Sequence, residues 1–146
     1  MARGYPDFYG ISIFPKYGSP TIDPAVLINC PNAATTQVFY VAGKGRIYGG
    51  SLRLVLAVGF PVACQLALLV DGVLHNTWSL SQLLEYNFTQ FPDFLVHLTE
   101  YNREDDIYVL TFRDNVSFQI SVEVQVINNT GGAVTATGDL ITAIII

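Results

Sequence analysis

Charged residues are scarce in this sequence. Only 13% of its 146 residues are Asp, Glu, Lys or Arg, whereas 51% are apolar. An ordinary soluble domain carries about 25% charged residues. Because so few charges cannot cover a surface with polar groups, the composition predicts that the chain either lies in a membrane or buries part of its surface against other subunits.

The sequence also lacks a continuous apolar segment suited to spanning a membrane. Residues 54–70 have no charge over nearly the length of a spanning helix. However, Gly59, Phe60 and Pro61 interrupt them, and apolar residues alternate on both sides. This pattern predicts two strands joined by a tight turn. Residues 1–17 lack the apolar core of a signal peptide. We therefore expect burial against other subunits and no membrane partner.

Cysteine and basic residues are few and dispersed. Cys30 and Cys64 have no C-x-x-C spacing, and we expect them to be small apolar core residues, with a disulfide left open. The seven Lys and Arg residues form no run, which argues against a nucleic-acid partner. Residues 85–146 hold nine acidic and two basic residues, so this half is expected to face solvent or a basic partner.

No group of residues forms a recognisable catalytic or metal-binding motif. His75 and His97 lie on predicted strands, and no serine lies in a G-x-S-x-G turn. The one dense acidic group lacks the EF-hand spacing and includes Arg103, so a solvated loop is favoured over a calcium site. Its members are Glu100, Glu104, Asp105 and Asp106. We therefore predict no enzyme activity, no catalytic residue, no metal and no cofactor.

A long alternating pattern is the clearest feature that the sequence does contain. In residues 116–127, apolar side chains occupy every second position and polar ones the positions between: Val116, Phe118, Ile120, Val122, Val124 and Val126 against Ser117, Gln119, Ser121, Glu123 and Gln125. Alternation with a period of two is typical of a strand with one buried face. The pattern predicts one long central strand.

Shorter segments of the same kind occur along most of the chain. Asp71-Gly72 predicts a type I′ hairpin, Gly43-Lys44-Gly45 a turn, and Ser79 could N-cap one short helix over residues 80–86. The remaining strands are predicted at 25–30, 37–41, 46–58, 62–70, 73–78, 94–101, 107–112 and 133–146. The predicted fold class is therefore all-β: an antiparallel β-sandwich, expected to be a jelly roll, with at most one short helix.

The N-terminal segment differs from the rest of the chain. Residues 1–31 hold five of the seven prolines, which disfavour an internal strand. We predict an extended arm over residues 1–24 and a sandwich domain over residues 25–146. The arm carries five aromatic residues that we expect to bind a partner: Tyr5, Phe8, Tyr9, Phe14 and Tyr17. A neighbouring subunit, the chain's own domain and disorder remain as alternatives for this arm.

The C-terminal strand ends in seven uncharged residues, LITAIII. An exposed apolar sheet edge favours aggregation, so this strand is expected either in the centre of a sheet or at a subunit contact. The candidate subunit interface consists of Ile141, Ile144, Ile145 and Ile146. A separate aromatic group could stack on a glycan or fix the short helix to the sheet: Trp78, Tyr86 and Phe88.

The opening ARGYPDFYG, followed by SIFPKYG up to Gly18 and then by a strand-rich body, resembles small virion proteins of tailed bacteriophages. The resemblance implies a jelly-roll capsid decoration (cement) protein. Such a protein would be made in the host cytoplasm, bind the major capsid protein on the outside of the virion as a homotrimer, and stabilise the shell. A receptor- or glycan-binding module of a tail or head fibre is the alternative.

Overall fold

The computed structural model describes residues 17–89, 96–112 and 116–145, and the side chains of residues 86–89 are not included. Several predicted site residues lie outside this part of the chain. They are Tyr5, Phe8, Tyr9, Phe14 and Ile146, together with the side chains of Tyr86 and Phe88.

The described residues form ten strands and one α-helix, which we call α1 (Leu80–Thr89). A single 3-10 turn at Pro61–Ala63 precedes the fourth strand. The strands are β1 (Thr21–Cys30), β2 (Ala34–Ala42), β3 (Gly45–Leu56), β4 (Cys64–Val70), β5 (Val73–Ser79), β6 (Val96–Asn102), β7 (Ile107–Phe112), β8 (Val116–Phe118), β9 (Ser121–Asn128) and β10 (Val134–Ile144).

Within the described residues these strands make two antiparallel sheets. Sheet I has the order β1-β10-β3-β7-β6, and β8 follows β7 along β3; sheet II has the order β2-β9-β4-β5. The antiparallel pairs are nested along the chain as β1 with β10, β2 with β9, β3 with β7, and β4 with β5, and they alternate between the two sheets. Nested pairs that alternate in this way define a jelly roll, which confirms the predicted fold class.

The core lies between the two sheets and follows the alternation of the sequence. Leu52, Leu54 and Leu56 of β3 are buried from sheet I, while Val122, Val124 and Val126 of β9 are buried from sheet II. The rings of Phe39 in sheet II and Phe112 in sheet I pack edge to face, with their centroids 6.0 Å apart. Because burying one such aliphatic side chain contributes about 1.5–3 kcal/mol, this double row is the main source of stability.

The predicted single strand over residues 116–127 is wrong. β8 pairs with β3 in sheet I and β9 pairs with β2 and β4 in sheet II, so the chain crosses between the sheets at Gln119 and Ile120. Ile120 is 68% exposed rather than buried. The alternation continues through the crossing because β8 and β9 both direct apolar side chains at the same interior. The pattern therefore could not reveal the break.

Two predicted tight turns also join different sheets rather than the strands of one hairpin. Residues 43–44 connect β2 in sheet II to β3 in sheet I, and residues 57–63 connect β3 to β4 in sheet II. The hairpin at Asp71-Gly72 is confirmed: φ is 55° and 79° at the two residues, and Val70 pairs with Val73. Positive φ at both turn residues is the requirement of the type I′ turn.

Helix α1 begins where the sequence predicts and is three residues longer. The Ser79 hydroxyl accepts a hydrogen bond from the Gln82 N–H, and the Gln82 side chain accepts one from the Ser79 N–H, each at 3.0 Å. This reciprocal capping box satisfies two backbone donors at the start of the helix. Leu80 and Leu83 are buried. No helix in the described ranges is long and apolar enough to cross a membrane.

Strand β1 is an edge strand and begins earlier than the sequence suggests. Thr21 pairs with Thr142 and Pro24 with Asp139, so the predicted boundary between residues 24 and 25 falls inside a strand. Proline is tolerated there because one side of an edge strand has no ladder partner that requires its N–H. A β-bulge between Ala25 and Ile28 places Leu27 at φ 48°.

Candidate assembly surfaces

The residues that could have carried catalysis are separated by the fold. His75 lies on β5 in sheet II and His97 on β6 in sheet I. In the described ranges, no three His, Cys, Asp or Glu side chains are grouped as a metal site would require. At the β6–β7 turn, the Asn102 amide donates to Asp105, and its oxygen accepts from the N–H groups of Glu104 and Asp105. These bonds hold the acidic residues in an exposed turn.

Both cysteines are buried and free, so the disulfide left open by the sequence is not formed. Cys30 belongs to β1 in sheet I and Cys64 to β4 in sheet II. Burial raises the pKa of the Cys64 thiol to about 12, with a smaller contribution from Cys30, and burial also raises the pKa of Cys30. Thiols held in the protonated form are poor nucleophiles, which agrees with their predicted role as apolar core residues.

The Trp78 ring cannot serve as the sugar-stacking surface considered from the sequence. It is only 3% exposed, and its partner across the strands is the buried Leu66 of β4. Trp78 occupies an inward position on β5 because the strand alternation places it on the same face as Leu66. The ring therefore belongs to the core, and the alternative that these aromatic residues fix the short helix to the sheet stays a prediction.

The described chain begins at Tyr17, the last of the five aromatic residues of the predicted arm. This residue makes an isolated antiparallel bridge with Ile145, and the Gly18 N–H donates to the Ile144 carbonyl at 2.7 Å. The Tyr17 ring lies 6.3 Å from the Tyr48 ring, centroid to centroid. The Arg46 guanidinium lies over both rings, at 5.7 Å from Tyr17 and 5.1 Å from Tyr48. Such cation–π contacts stabilise the aromatic pair.

Apolar side chains extend this aromatic pair across the outer face of sheet I. Ile22 of β1 pairs with Ile141 of β10, and alternation puts Ile145 on the same face as Ile141. Ile22 is 61% exposed, and the others are partly exposed. We call this surface the arm-root patch; its members are Tyr17, Ile22, Tyr48, Ile141 and Ile145.

The predicted C-terminal interface is divided between two faces of β10. This strand lies between β1 and β3, so the first of the two sequence alternatives, a central strand, is correct. Ile141 and Ile145 lie on the outer face, whereas Ile144 packs against the core. The use of these residues as a subunit contact stays a prediction.

The end of the sandwich that contains Tyr17 is here called the arm end, and it also contains the loops at residues 43–44, 71–72 and 119–120. One Asp71 carboxylate oxygen accepts hydrogen bonds from three successive N–H groups, those of Gln119, Ile120 and Ser121, at 2.8, 2.6 and 3.2 Å. The Asp71 N–H donates to the Ser121 carbonyl at 2.8 Å. These bonds fix the crossing between the sheets to the β4–β5 turn.

Three apolar side chains at the arm end are largely exposed. Val73 is 69% exposed, Leu74 56% and Ile120 68%. We call these three residues the rim patch. The Ile120 N–H is bonded to the Asp71 carboxylate, and Val73 and Leu74 open β5 directly after the Asp71-Gly72 turn, with their side chains on opposite faces of that strand.

The opposite end, here called the loop end, contains residues 31–33, 57–63, 103–106 and 129–133. Asn128 is fully buried there and makes four hydrogen bonds: it donates to the carbonyls of Cys30 and Gly132 and accepts from the N–H and hydroxyl groups of Thr130. The Asn32 side chain accepts a bond from the Gly131 N–H. Val58, Phe60 and Val62 are exposed on the surface of this end.

The sequence did not indicate the roles of Asp71 and Asn128. Asp71 reads as one half of a hairpin turn, and its carboxylate binds backbone almost fifty residues away. Asn128 reads as a turn residue, although its amide joins β1 to the β9–β10 loop. Neither long-range contact leaves a local pattern, so only the fold reveals them.

No family model and no curated protein match this chain. Among solved structures, it is similar to the crystal structure of the infectious bursal disease virus VP2 subviral particle. The TM-score is 0.44 with 16% sequence identity, and the match covers 89% of this chain. The chain spans 34% of the length of that structure's chain.

Proposed function

We propose that this chain is a structural, non-enzymatic virion protein: a capsid decoration protein that binds the outside of a phage shell as a homotrimer and stabilises it. The arm-root patch carries the proposal. Its apolar side chains lie on the outer face of a sheet, at the point where an aromatic arm joins the domain. Exposed apolar side chains grouped in this way are typical of a surface that contacts another subunit.

Several features of the chain support a role in assembly. Charged residues make up only 13% of the sequence, and the described core is already filled by residues other than those of the patch. Burial of apolar surface contributes roughly 25 cal/mol per Å², and each aromatic side chain of the arm offers about 150–250 Å². A contact of this kind can offset the cost of ordering the arm.

The proposal assigns two groups of residues to partners. Tyr5, Phe8, Tyr9, Phe14 and Tyr17 of the arm would bind a neighbouring subunit or the major capsid protein. Ile141 and Ile145, with Ile146 beside them, would lie at the contact between copies, whereas Ile144, the fourth residue predicted there, packs against the core of its own chain. The protein would be made in the host cytoplasm, and two free, buried thiols are compatible with a reducing compartment.

The solution mass of the full-length protein tests the assembly. Light scattering after size exclusion should give three times the chain mass of 16.0 kDa. An Ile22→Lys variant places a charge in the arm-root patch and should weaken the trimer roughly a hundredfold or more, since an unpaired charge cannot be buried there. Val62→Lys is the matched control, because Val62 is similarly exposed at the loop end.

Immunogold electron microscopy of intact virions tests the location. An antibody against the purified protein should label the outer surface of the head. A clean monomer that binds cells or a glycan array would contradict the decoration role and support the tail- or head-fibre alternative. Labelling confined to the tail would have the same consequence.

A further inference from the structure

We infer that the rim patch is the docking site for the aromatic arm of a second copy of this chain. The arm segment concerned is residues 5–14. This inference rests on the proposed function, because it requires that copies of the chain assemble. It adds the surface that would receive the arm.

The first observation is the exposure of the patch on rigid backbone. Val73, Leu74 and Ile120 each expose more than half of their surface. Ile120 lies in the two-residue crossing between the sheets. Its exposed side chain contributes little to the stability of the fold there. The Asp71 carboxylate nevertheless fixes this crossing with three hydrogen bonds. A patch ordered before binding loses little entropy when a partner docks, which favours its use as a contact.

The second observation is the place where the described chain begins. The Tyr17–Ile145 bridge and the bond from Gly18 to Ile144 continue the β1–β10 ladder past Thr21. The described chain therefore begins at the arm end, the end that also holds the rim patch. The sixteen preceding residues can span up to about 53 Å. This length is enough to reach the arm end of a second copy that faces this one.

The third observation is chemical complementarity. The arm segment, residues 5–14, carries four of the aromatic residues and a single charge, that of Asp7. The rim patch exposes three aliphatic side chains. A contact between aromatic rings and aliphatic side chains suits a segment so rich in rings and so poor in charge.

The arm and its proposed docking site lie at the same end of the molecule. Copies that meet at their arm ends can therefore exchange arms reciprocally around a symmetry axis, with each copy giving one arm and receiving one. A reciprocal exchange closes the assembly and buries every rim patch in it.

Photocross-linking tests the inference on the full-length protein. Phe8→p-benzoylphenylalanine is prepared in unlabelled protein and mixed with ¹⁵N-labelled protein that lacks the cross-linker. Mass spectrometry of the digest should join the unlabelled arm to a labelled peptide that contains Val73 or Ile120. Cross-links to the unlabelled peptide of the same chain only, or to other surfaces, would overturn the inference.

A pair of matched variants adds a quantitative test. Val73→Ser with Ile120→Ser should weaken self-association about tenfold or more, because two apolar side chains leave the contact. Phe60→Ser with Val62→Ser removes similarly exposed residues at the loop end and should leave it unchanged. Equal effects of the two pairs would contradict the inference. A wild-type oligomer whose arm does not reach the rim patch overturns only the inference, whereas a monomeric wild type overturns the proposed function as well.

Discussion

The two ends of this jelly roll are stabilised in different ways. At the loop end, the fully buried Asn128 joins β1, β9 and the loop between β9 and β10 through four hydrogen bonds. At the arm end, a partly exposed carboxylate, that of Asp71, joins one turn to one crossing. A buried network has to be complete, because water cannot replace a lost partner. An exposed bond can be replaced by water, so it contributes less.

The polar contacts at the loop end stabilise the fold, whereas those at the arm end fix exposed side chains in position. The loop end contributes to global stability through polar groups that the core encloses. The arm end fixes short segments locally while it leaves Val73, Leu74 and Ile120 exposed. Substitutions at the two ends should therefore have effects of different size and different dependence on pH.

Loss of the buried network should have the largest effect. Asn128→Ala leaves the Cys30 carbonyl without its amide donor and the Thr130 N–H without its acceptor, whereas the Thr130 hydroxyl can still donate to the Gly132 carbonyl. Unsatisfied buried polar groups cost about 1–3 kcal/mol each, and we expect the free energy of unfolding to fall by about 3 kcal/mol. Urea denaturation followed by circular dichroism measures this change.

The neighbouring residue gives a matched control. Asn129 is exposed, and its backbone N–H bonds to the Ala63 carbonyl, a contact that Asn129→Ala retains. This variant should change the free energy of unfolding by less than about 0.5 kcal/mol. If the two alanine variants were equally stable, the loop-end network would not be a source of stability.

The strands could be predicted from the sequence because their alternation is local. Ile107–Phe112 was predicted at its observed bounds, and the Asp71-Gly72 turn was identified from two residues. The partners of the strands could not be predicted in the same way. In a jelly roll, successive strands on both sheets direct their apolar faces at one interior, so the alternation is identical whether the chain makes a hairpin or crosses to the other sheet.

The candidate surfaces were predictable only in part. Tyr17, Ile141 and Ile145 were selected because they are apolar near the termini, and the β1–β10 ladder brings them together on one face. Ile120 was assigned to the core because its position continues a perfect alternation. Its exposure depends on a contact with Asp71, 49 residues away in sequence, and no local pattern contains that information.

The Asp71 bonds should have a smaller effect that depends on pH. Hydrogen bonds from backbone N–H groups, that of Ile120 first, hold the pKa of this carboxyl below its usual range. A carboxyl whose pKa is lower in the folded state stabilises the fold fully above its unfolded pKa of about 3.9. That stabilisation is lost as the pH falls through the folded pKa. Asp71→Asn should therefore be less stable than wild type near neutral pH.

The difference between wild type and Asp71→Asn should shrink on acidification and disappear once Asp71 is protonated. Urea denaturation at a series of pH values from about 7 to 2 measures it. Glu100→Gln, which changes an exposed acidic residue on β6, is the control and should follow the wild-type curve. A stability difference that stayed constant down to the lowest pH would contradict the role assigned to the carboxylate.

The smallest expected effect concerns the thiols, whose reactivity reports whether the sandwich opens. Because burial raises the pKa of the Cys64 thiol to about 12, the thiol stays protonated near neutral pH, and the residue is fully buried. Native protein should therefore react with iodoacetamide at neither cysteine over hours, whereas urea-unfolded protein should react at both within minutes.

Asn128→Ala should accelerate the reaction, since Asn128 bonds to the Cys30 carbonyl and pairs with Cys64 across the strands. Asp71→Asn, at the other end, should leave it near the wild-type rate at neutral pH. If both variants exposed the thiols equally, the two ends would unfold as one unit, and the stabilisation of the loop end would not be local.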